Sequence, residues 1–371
     1  MTVNVTKPAL NIREKLAELE KPSGIAGEAM LRADSVQEQR NLIGAGRKNL
    51  IINGAMKVAQ RGTSITGVGG GSDFLLDRWT IGGGTTAGRL TMSQDSDGPA
   101  GFANSLKLDC TTADTSTAAA EQSYIIYKFE GQDLQQLKKG TSSAESMTLS
   151  FYVKGNAAAT YTAEFYDADN NRHNGQTFSV TTSWNKVTLT YVPDTTGAYN
   201  DDNALSLYLF IWIHTGSEFT SGTFTSNTWS ASANNTRVSA SNTSFYDSTS
   251  RTLNITGVQL EVGAVATNFE HRSYGEELAL CQRYYYHSGT LNAGQNGQAV
   301  SGGYSTYFGA SWTFPTTMRT TPTILQNINI TTNSTGTQSA GVTPTMYRFN
   351  HGNMSGNYSY WTGSFIVEAE L

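Results

Sequence analysis

The sequence predicts a mainly β protein that carries a short helical arm at its N-terminus. Charged residues make up only 15% of the 371 residues, whereas aromatic residues reach 11% and 37 glycines stand against 7 prolines. Segments in which apolar and polar side chains alternate recur at short intervals through the middle of the chain. Alternation is typical of strands with one buried face, and its regular recurrence favours a β-sandwich.

Residues 1–47 differ from the rest because they have helical periodicity. Asn11–Glu20 places Ile12, Leu16 and Leu19 on one face, and Leu31 and Val36 belong to a second helical pattern. Helices this short are not stable alone, so they need a partner surface. We expect an arm that docks on a larger particle or on sister copies of the chain; the alternative is an arm that packs on its own domain.

From Asn49 the chain takes on β character. Asn49–Gly62 (NLIINGAMKVAQRG) offers Ile51, Met56 and Val58 to a core, with a turn at Asn53-Gly54. The glycines at 69–71 read as a loop, and Asp77-Arg78-Trp79 follows. Eight later segments have strand patterns: Ser105–Asp109, Ser123–Phe129, Ser146–Lys154, Thr160–Tyr166, Gln176–Val180, Trp184–Val192, Leu205–His214 and Asn254–Val262.

Two non-strand features interrupt this series. Gly131–Lys139 reads as a short helix, and residues 215–250 are rich in Ser, Thr and Asn. A loop longer than about 15 residues in a compact domain is usually functional. The aromatic residues of the 215–250 segment, including Trp229, Phe245 and Tyr246, predict that it is packed.

The C-terminal region opens with a capped helix and closes with a strand. Ser273 precedes Glu276 by three residues, the spacing of a capping box. Phe314–Pro322 (FPTTMRTTP) predicts a turn between strands because its prolines exclude a helix. Tyr360–Leu371 alternates and predicts a final strand.

Three of these strings resemble bacteriophage tail-fibre and virion-appendage proteins. They are NLIINGAMKVAQRG with the later Asp77-Arg78-Trp79, then NITGVQLEVGAVATNFEHRSYGEELALCQRYYY, and finally FPTTMRTTP with the closing Ala369-Glu370-Leu371. The resemblance implies an N-terminal attachment arm (1–47), a jelly-roll like that of carbohydrate-binding modules (48–272) and a receptor-binding β tip (273–371). It also implies a homotrimer in the virion tail, synthesised in the host cytoplasm, whose arm binds other tail or virion proteins.

The expected partner outside the particle is a host-surface glycan or lipopolysaccharide. Aromatic rings stack on sugar faces while polar side chains bond hydroxyls. The predicted receptor-binding residues are Tyr347, Asn350, His351, Asn353, Tyr358, Tyr360 and Trp361 in the tip, with Trp229 in the body. For any single aromatic residue, burial in a core is the competing interpretation.

No catalytic residue and no cofactor is predicted. The five histidines are scattered without metal-ligand spacing, and no nucleophile elbow is present. Asp167 and Asp169 imitate part of a calcium loop, but Arg172 and Phe178 replace its glycine and its bidentate glutamate. They are weak metal candidates that leave room for a structural cation, and a polar turn is the competing interpretation.

Bulk properties argue against other partners. The net charge of −5 gives no basic surplus for binding nucleic acid, and no apolar run is long enough to span a membrane. Cys110 and Cys281 are predicted to be unpaired, buried thiols. The alternative placements are a head fibre, a capsid decoration or a baseplate component; a polysaccharide depolymerase is the enzymatic alternative.

Overall fold

A computed structural model describes residues 48–296, 308–328, 330–332, 338–351 and 358–371, together with Arg32 and Gln39. The chain divides into two compact units, Met1–Lys48 and Asn49–Leu371. The second unit contains all the sheets described below.

The predicted arm is represented only by Arg32 and Gln39, both of which are helical. Its apolar residues lie outside the described residues: Ile12, Leu16, Leu19, Leu31 and Val36. Their docking role stays a prediction.

Sheet A forms one layer of a β-sandwich and has six antiparallel strands. In spatial order these are β1 (Ser64–Val68), β4 (Arg89–Asp95), β5 (Ser105–Thr112), β13 (Thr252–Val262), β7 (Met147–Gly155) and β10 (Asn185–Tyr191). The order is not the order in the chain, because several connections cross to the other layer.

Sheet B forms the second layer and has seven antiparallel strands. In spatial order these are β12 (Ser230–Ala231), β9 (Arg172–Val180), β8 (Ala159–Asp167), β11 (Leu205–Thr215), β6 (Gln122–Glu130), β3 (Thr80–Gly84) and β2 (Gly71–Phe74). The mainly β sandwich that the sequence predicts is confirmed.

The core lies between the two sheets because alternate residues of each strand point inward. Phe151 of β7 meets Phe178 of β9 edge-on at 5.0 Å between ring centroids, and Phe165 of β8 meets Tyr191 of β10 at 4.7 Å. All four rings are buried. Burying one such side chain contributes roughly 1.5–3 kcal/mol, so these contacts hold the layers together.

Three small sheets follow the sandwich. Their strands are β14 (Tyr285–His287), β22 (Ile366–Glu368) and β17 (Thr323–Gln326); β15 (Leu291–Asn296), β21 (Tyr358–Gly363) and β18 (Ile330–Thr332); and β16 (Phe308–Thr313), β20 (Met346–His351) and β19 (Gln338–Thr343). They enclose a second apolar core that includes Phe314, Met318, Tyr347, Phe365 and Val367.

Helices in the described residues of this unit are short. They are the 3₁₀ helices η1 (Gly131–Leu137), η2 (Asn234–Thr236) and η3 (Phe245–Asp247), and the α-helices α1 (Ser217–Thr220) and α2 (Tyr274–Gln282). The predicted capping box begins α2: Glu276 N donates to Ser273 Oγ at 3.3 Å, and Ser273 N donates to Glu276 Oε2 at 3.0 Å. Within the described part of the chain, no helix is long and apolar enough to cross a bilayer.

The structure confirms the eight predicted strands of the sandwich and the helical turn at η1. Three local predictions were wrong. Asn49–Gly62 forms turns and no strand, so β structure begins at Ser64 and not at Asn49, although Ile51, Met56 and Val58 are buried as predicted. Gly71 belongs to β2 and not to a loop, and the final segment is two strands, β21 and β22, separated at Ser364 and Phe365. The predicted alternation survives that break, since Phe365, Val367 and Ala369 are all buried.

Arg78 joins the sandwich to the C-terminal residues. Its guanidinium lies 3.5 Å from the centroid of the Tyr284 ring, donates to the Lys128 carbonyl at 2.7 Å and forms an ion pair with Glu370. The Arg78 side chain is 2% exposed. Burial disfavours its charge, but Glu370 outweighs that cost and raises the pKa of Arg78.

Further contacts surround this junction. Glu130, buried in sheet B, accepts two hydrogen bonds from Arg283 at 2.8 and 2.7 Å and a third from the Tyr284 hydroxyl. Arg319 donates to the carbonyls of Ala369 and Glu370, both at 2.8 Å. Most of these polar groups thus bond one another where two apolar cores meet, although Arg78 Nε is buried without a hydrogen-bond partner among the described residues.

Both cysteines are unpaired and buried, as predicted. Burial raises the pKa of the Cys281 thiol well above its ordinary value, and that of Cys110 is also raised by burial. Cys281 therefore acts as a small apolar residue in the core.

Replacing Glu370 with glutamine is expected to destabilise the protein by about 3 kcal/mol, because it leaves the buried Arg78 without its carboxylate partner. Urea denaturation of the two proteins measures this loss. Glu145→Gln is the control, since Glu145 pairs with Lys138 on the surface and should change stability by less than about 1 kcal/mol. Equal losses in the two variants would contradict a structural role for the Arg78–Glu370 pair.

Candidate functional site: an aromatic face on sheet B

The outer face of sheet B carries an unusual number of aromatic side chains. In β11 the inward residues are Leu207, Leu209, Ile211 and Ile213, while Tyr208, Phe210 and Trp212 point outward. Strand alternation therefore puts three consecutive outward positions of one central strand on the side away from the main core. We call Tyr124, Tyr166, Tyr208, Phe210 and Trp212 the aromatic face.

Tyr124 and Tyr166 come from the two strands that flank β11. Register places Tyr166 of β8 opposite Tyr208 and Tyr124 of β6 opposite Trp212. Tyr208 stacks on Phe210 at 5.0 Å between centroids and an interplanar angle of 16°, and Tyr124 meets Phe210 edge-on at 4.9 Å. The rings thus form one continuous apolar surface.

Gly82 of β3 makes room for this surface. A Cβ at that position would lie 2.6 Å from Ile126 Cδ1 and 2.7 Å from Tyr124 Cε2. A larger residue would push both side chains off the sheet, so the glycine lets the Tyr124 ring lie against β3.

Arg237 covers one side of the aromatic face. Its guanidinium carbon lies 5.0 Å from the Tyr166 centroid, 5.2 Å from that of Phe210 and 5.0 Å from that of Trp212. These are cation–π distances.

Glu164 fixes Arg237 in this position. Arg237 Nε and Nη2 donate to its two carboxylate oxygens at 2.8 and 2.9 Å, and Trp212 Nε1 donates at 2.8 Å. Burial of Glu164 opposes ionisation, but Arg237 and His173 outweigh it, so its pKa is lowered and the pair is charged at neutral pH. The carboxylate is saturated by donors and holds no proton to give, which does not suit a general acid.

The 215–250 segment lies over part of the same face, and its predicted packing is confirmed. Phe219 of α1 packs on Trp212 at 5.3 Å, and both Phe219 and Val238 are buried there. Trp212 is 0% and Phe210 8% exposed, whereas Tyr124, Tyr166 and Tyr208 stay half-buried. The part that solvent reaches is therefore a rim of three tyrosines around a covered Phe210.

The sequence prediction did not single out these tyrosines. The available signal was the run Tyr208–His214 (YLFIWIH), in which both alternating sets are apolar or aromatic. A strand that is exposed on one face normally shows polar residues at every second position. Their absence indicated that something covers or binds the outer face.

Most of the predicted tip residues have side chains that lie outside the part of the chain that the structure describes. Tyr347 is fully buried and stacks on Phe365 at 4.0 Å, so it is a core residue with no surface to offer a ligand. Asn350 and His351 lie on β20, and Tyr358, Tyr360 and Trp361 on β21, where only their backbone is described. Asn353 lies outside the described residues, and the tip binding loop stays a prediction.

Trp229 lines a small pocket at another end of the sandwich. The pocket is formed with Leu137, Lys139, Glu145, Met147, Val192, Asp194 and Tyr199. Trp229 Nε1 donates to the Val192 carbonyl at 2.9 Å, and its ring lies 5.9 Å from Lys139 Nζ. The hydrogen bond to Val192 thus holds the indole in place, and the Trp229 side chain is half-buried.

The two metal candidates have other partners. Asp167 is fully buried and forms an ion pair with Lys139 Nζ at 2.6 Å, while Asp169 accepts hydrogen bonds from Asn200 N and Nδ2, both at 3.0 Å. Asp169 lies in the turn between β8 and β9, as predicted by the competing interpretation of this segment as a polar turn.

Lys139 takes the place that a cation would have beside Asp167. Its ammonium also lies 3.2 Å from Asp194 Oδ2 and donates to the carbonyls of Thr196 and Gly197 at 2.7 and 2.8 Å. Two carboxylates and two carbonyls are the oxygen donors that calcium prefers. The Lys139 ammonium thus supplies the positive charge that a bound cation would otherwise supply.

No protein-family model matches this sequence, and no curated protein is similar to it. Among solved structures, the chain has similarity to a xylan-binding CBM22-1 domain from Paenibacillus barcinonensis, with 14% identity over 60% of this chain and 100% of that one, at a TM-score of 0.29. A family 11 carbohydrate-binding module from Clostridium thermocellum, in complex with a mixed-linked tetrasaccharide, shows 12% identity over 54% and 100%, at 0.28. The module TmCBM61 in complex with β-1,4-galactotriose shows 9% over 58% and 99%, at 0.30. At these TM-scores the similarity carries no argument about what this chain binds.

Replacing Lys139 with alanine is expected to destabilise the protein by about 3 kcal/mol, because the buried Asp167 loses the ammonium that pairs with it, while Asp194 keeps Arg172. Calcium should restore part of that stability in Lys139→Ala and leave the native protein unchanged. Thermal unfolding with calcium and with a chelator measures both effects. Lys138→Ala is the matched control, since the neighbouring Lys138 side chain is 54% exposed. If Lys139→Ala loses no more stability than this control, Lys139 does not have the proposed structural role.

Proposed function

We propose that this chain is a phage tail fibre that binds a host-surface glycan, and that the aromatic face of sheet B contributes a contact site. The observation that supports glycan binding is the half-buried rim of Tyr124, Tyr166 and Tyr208 around buried Phe210, which solvent still reaches. Tyrosine offers an apolar ring to the C–H face of a sugar and a hydroxyl to its polar edge.

Charged groups border this rim on two sides. Arg237 lies over Tyr166, and Lys128 Nζ lies 5.9 Å from the Tyr208 centroid. Both are donors, and a negatively charged or hydroxyl-rich ligand would accept from them. Lipopolysaccharide and acidic capsular sugars have this chemistry, and we expect them to bind better than neutral glucans.

The attachment part rests on the resemblance of the sequence to phage appendage proteins. We propose that the arm in residues 1–47 binds other tail or virion proteins and that three chains associate. Weak contacts at each rim would then act together, since several linked sites raise the effective affinity without new contacts. The tip residues around His351 would add a second contact to the same host surface.

A head fibre, capsid decoration or baseplate component is the alternative placement, and a depolymerase is the alternative activity. Cryo-electron microscopy of the virion decides the placement, because density on the capsid would contradict a tail position. Incubation of the protein with host glycans decides the activity. We expect no new reducing ends, and sustained product release would show that the protein cleaves what it binds.

Replacing Tyr208 with alanine is expected to weaken binding to purified host lipopolysaccharide about tenfold, because a stacking contact of about 1 kcal/mol or more is lost. Tyr208→Phe keeps the ring and should lose less. Isothermal titration calorimetry measures both affinities, and Trp229→Ala in the same series tests the pocket.

Tyr274→Ala is the control for this series, since Tyr274 is 58% exposed and lies on α2 outside the aromatic face. If Tyr208→Ala binds as tightly as the native protein and Trp229→Ala does not bind, the glycan site is the pocket and not the aromatic face. If all these variants bind as the native protein does, the aromatic face is not a glycan site.

Deleting residues 1–47 is expected to leave a folded protein that binds glycan but no longer joins phage particles. The compact unit Asn49–Leu371 contains both apolar cores without that segment. Circular dichroism checks folding, and particle incorporation is measured by complementation of a phage that lacks the gene. Unfolding of the truncated chain would show instead that the arm stabilises the rest.

A further inference from the structure

A second cluster of chemically active side chains lies at the end of β11. Asp114, Glu121 and His214 each offer one ligand atom, and the three atoms all lie within 4.8 Å of one another. All three residues are buried, with 6%, 6% and 0% of their surface exposed. We propose that they bind a divalent transition metal of the zinc class.

The charge balance of the cluster supports a bound cation. Among the described residues, neither carboxylate has a lysine or arginine within ion-pair distance, and the ionic partner of Glu121 is His214 at 3.2 Å. Two other buried carboxylates do have one, since Glu130 pairs with Arg283 and Glu164 with Arg237. Asp114 accepts hydrogen bonds from Thr86 Oγ1, Ala87 N and Ser116 N, which stabilise its carboxylate. Even with His214 protonated, however, the three groups keep one net negative charge, which a bound cation would neutralise.

The donor set selects the metal. One imidazole nitrogen with two carboxylate oxygens suits zinc and its neighbours, whereas calcium and magnesium prefer oxygen alone. Zinc ligands lie about 2.0–2.2 Å from the metal in a tetrahedron, which sets neighbouring ligand atoms about 3.4 Å apart. The most distant pair here lies within 4.8 Å, so binding requires it to close by up to about 1.4 Å. Binding would draw the segment after β5 towards β11.

His214 is already oriented for this role. Its Nδ1 lies 2.8 Å from Ser244 Oγ, and its ring packs edge-on against Tyr246 at 5.2 Å. A ligating histidine usually donates its second N–H to an outer partner, which fixes the ring and leaves the other nitrogen for the metal. Ser244 would accept from Nδ1 in the metal-bound tautomer, and Nε2 faces Glu121 at 3.2 Å.

The burial of the cluster points to a structural site. The metal would tie the 113–121 loop to β11 and, through Ser244, to the end of the 215–250 segment that covers the aromatic face. We therefore expect zinc to stabilise the fold of this edge. The proposal does not depend on glycan binding.

The test uses the full chain, stripped with a chelator and titrated with zinc alone. We expect one bound zinc per chain after desalting and a melting temperature that rises by several degrees, because a ligand that binds only the folded state stabilises it. His214→Gln and Glu121→Gln should each weaken zinc binding at least about 100-fold. His287→Gln, which removes an exposed imidazole, should bind as the native chain does.

X-ray absorption at the zinc edge is measured on the native protein, so its result does not depend on whether any variant folds. It should show nitrogen and oxygen neighbours near about 2.0–2.2 Å, and no sulfur at about 2.3 Å. Absence of zinc in the native chain, sulfur in its coordination shell, or undiminished binding by a folded His214→Gln or Glu121→Gln would overturn the proposal.

Discussion

The buried guanidinium of Arg78 is the contact on which the assembly of this unit depends. It lies between the rings of Tyr127 and Tyr284, and Glu370 neutralises it one residue before the C-terminal Leu371. An arginine buried to this degree requires a carboxylate, an acceptor carbonyl and ring faces at once. Those groups come from the sandwich and from the last residues of the chain. The sandwich and the C-terminal region therefore cannot separate without exposing a costly, unpaired charge.

The three strings that resemble phage appendage proteins meet at this junction. Asn49 and Asn53 bond the backbone of the first string and of β13, Arg283 and Tyr284 bond Glu130, and Arg319 bonds the C-terminal carbonyls. The residues that carry the resemblance are thus the ones that build the joint between two cores. Such a joint constrains the identity of many residues at once, since each polar group needs a matched partner. These contacts are structural, so the proposed glycan site rests on other residues of the chain.

Local periodicity predicted eight of the thirteen strands of the sandwich, because burial on one face imposes a period of two along a strand. It missed β12, which has two residues, and β1–β4, which are short or rich in glycine and polar residues. It could not predict the aromatic face. Tyr124, Tyr166 and Tyr208 are far apart in the sequence, and only the strand order of sheet B puts them side by side. Tyr347 shows the converse error: an aromatic residue in a polar, glycine-rich stretch suggested a surface loop, but the pairing of β20 turns its ring into the second core.

The same strand order explains why the 215–250 segment is both long and packed. A sheet whose two faces are apolar must cover the second one, and a loop that crosses it does so with few residues, such as Phe219, Val238 and Arg237. Complete coverage would have buried the three tyrosines as well. The segment instead packs Phe219 and Val238 with Phe210 and Trp212, and Glu164 holds the charge of Arg237 over the rings, so the surface that remains is a tyrosine rim with a cation at its edge. The three tyrosines remain half-buried, so this rim is the part of the face that is open to a ligand.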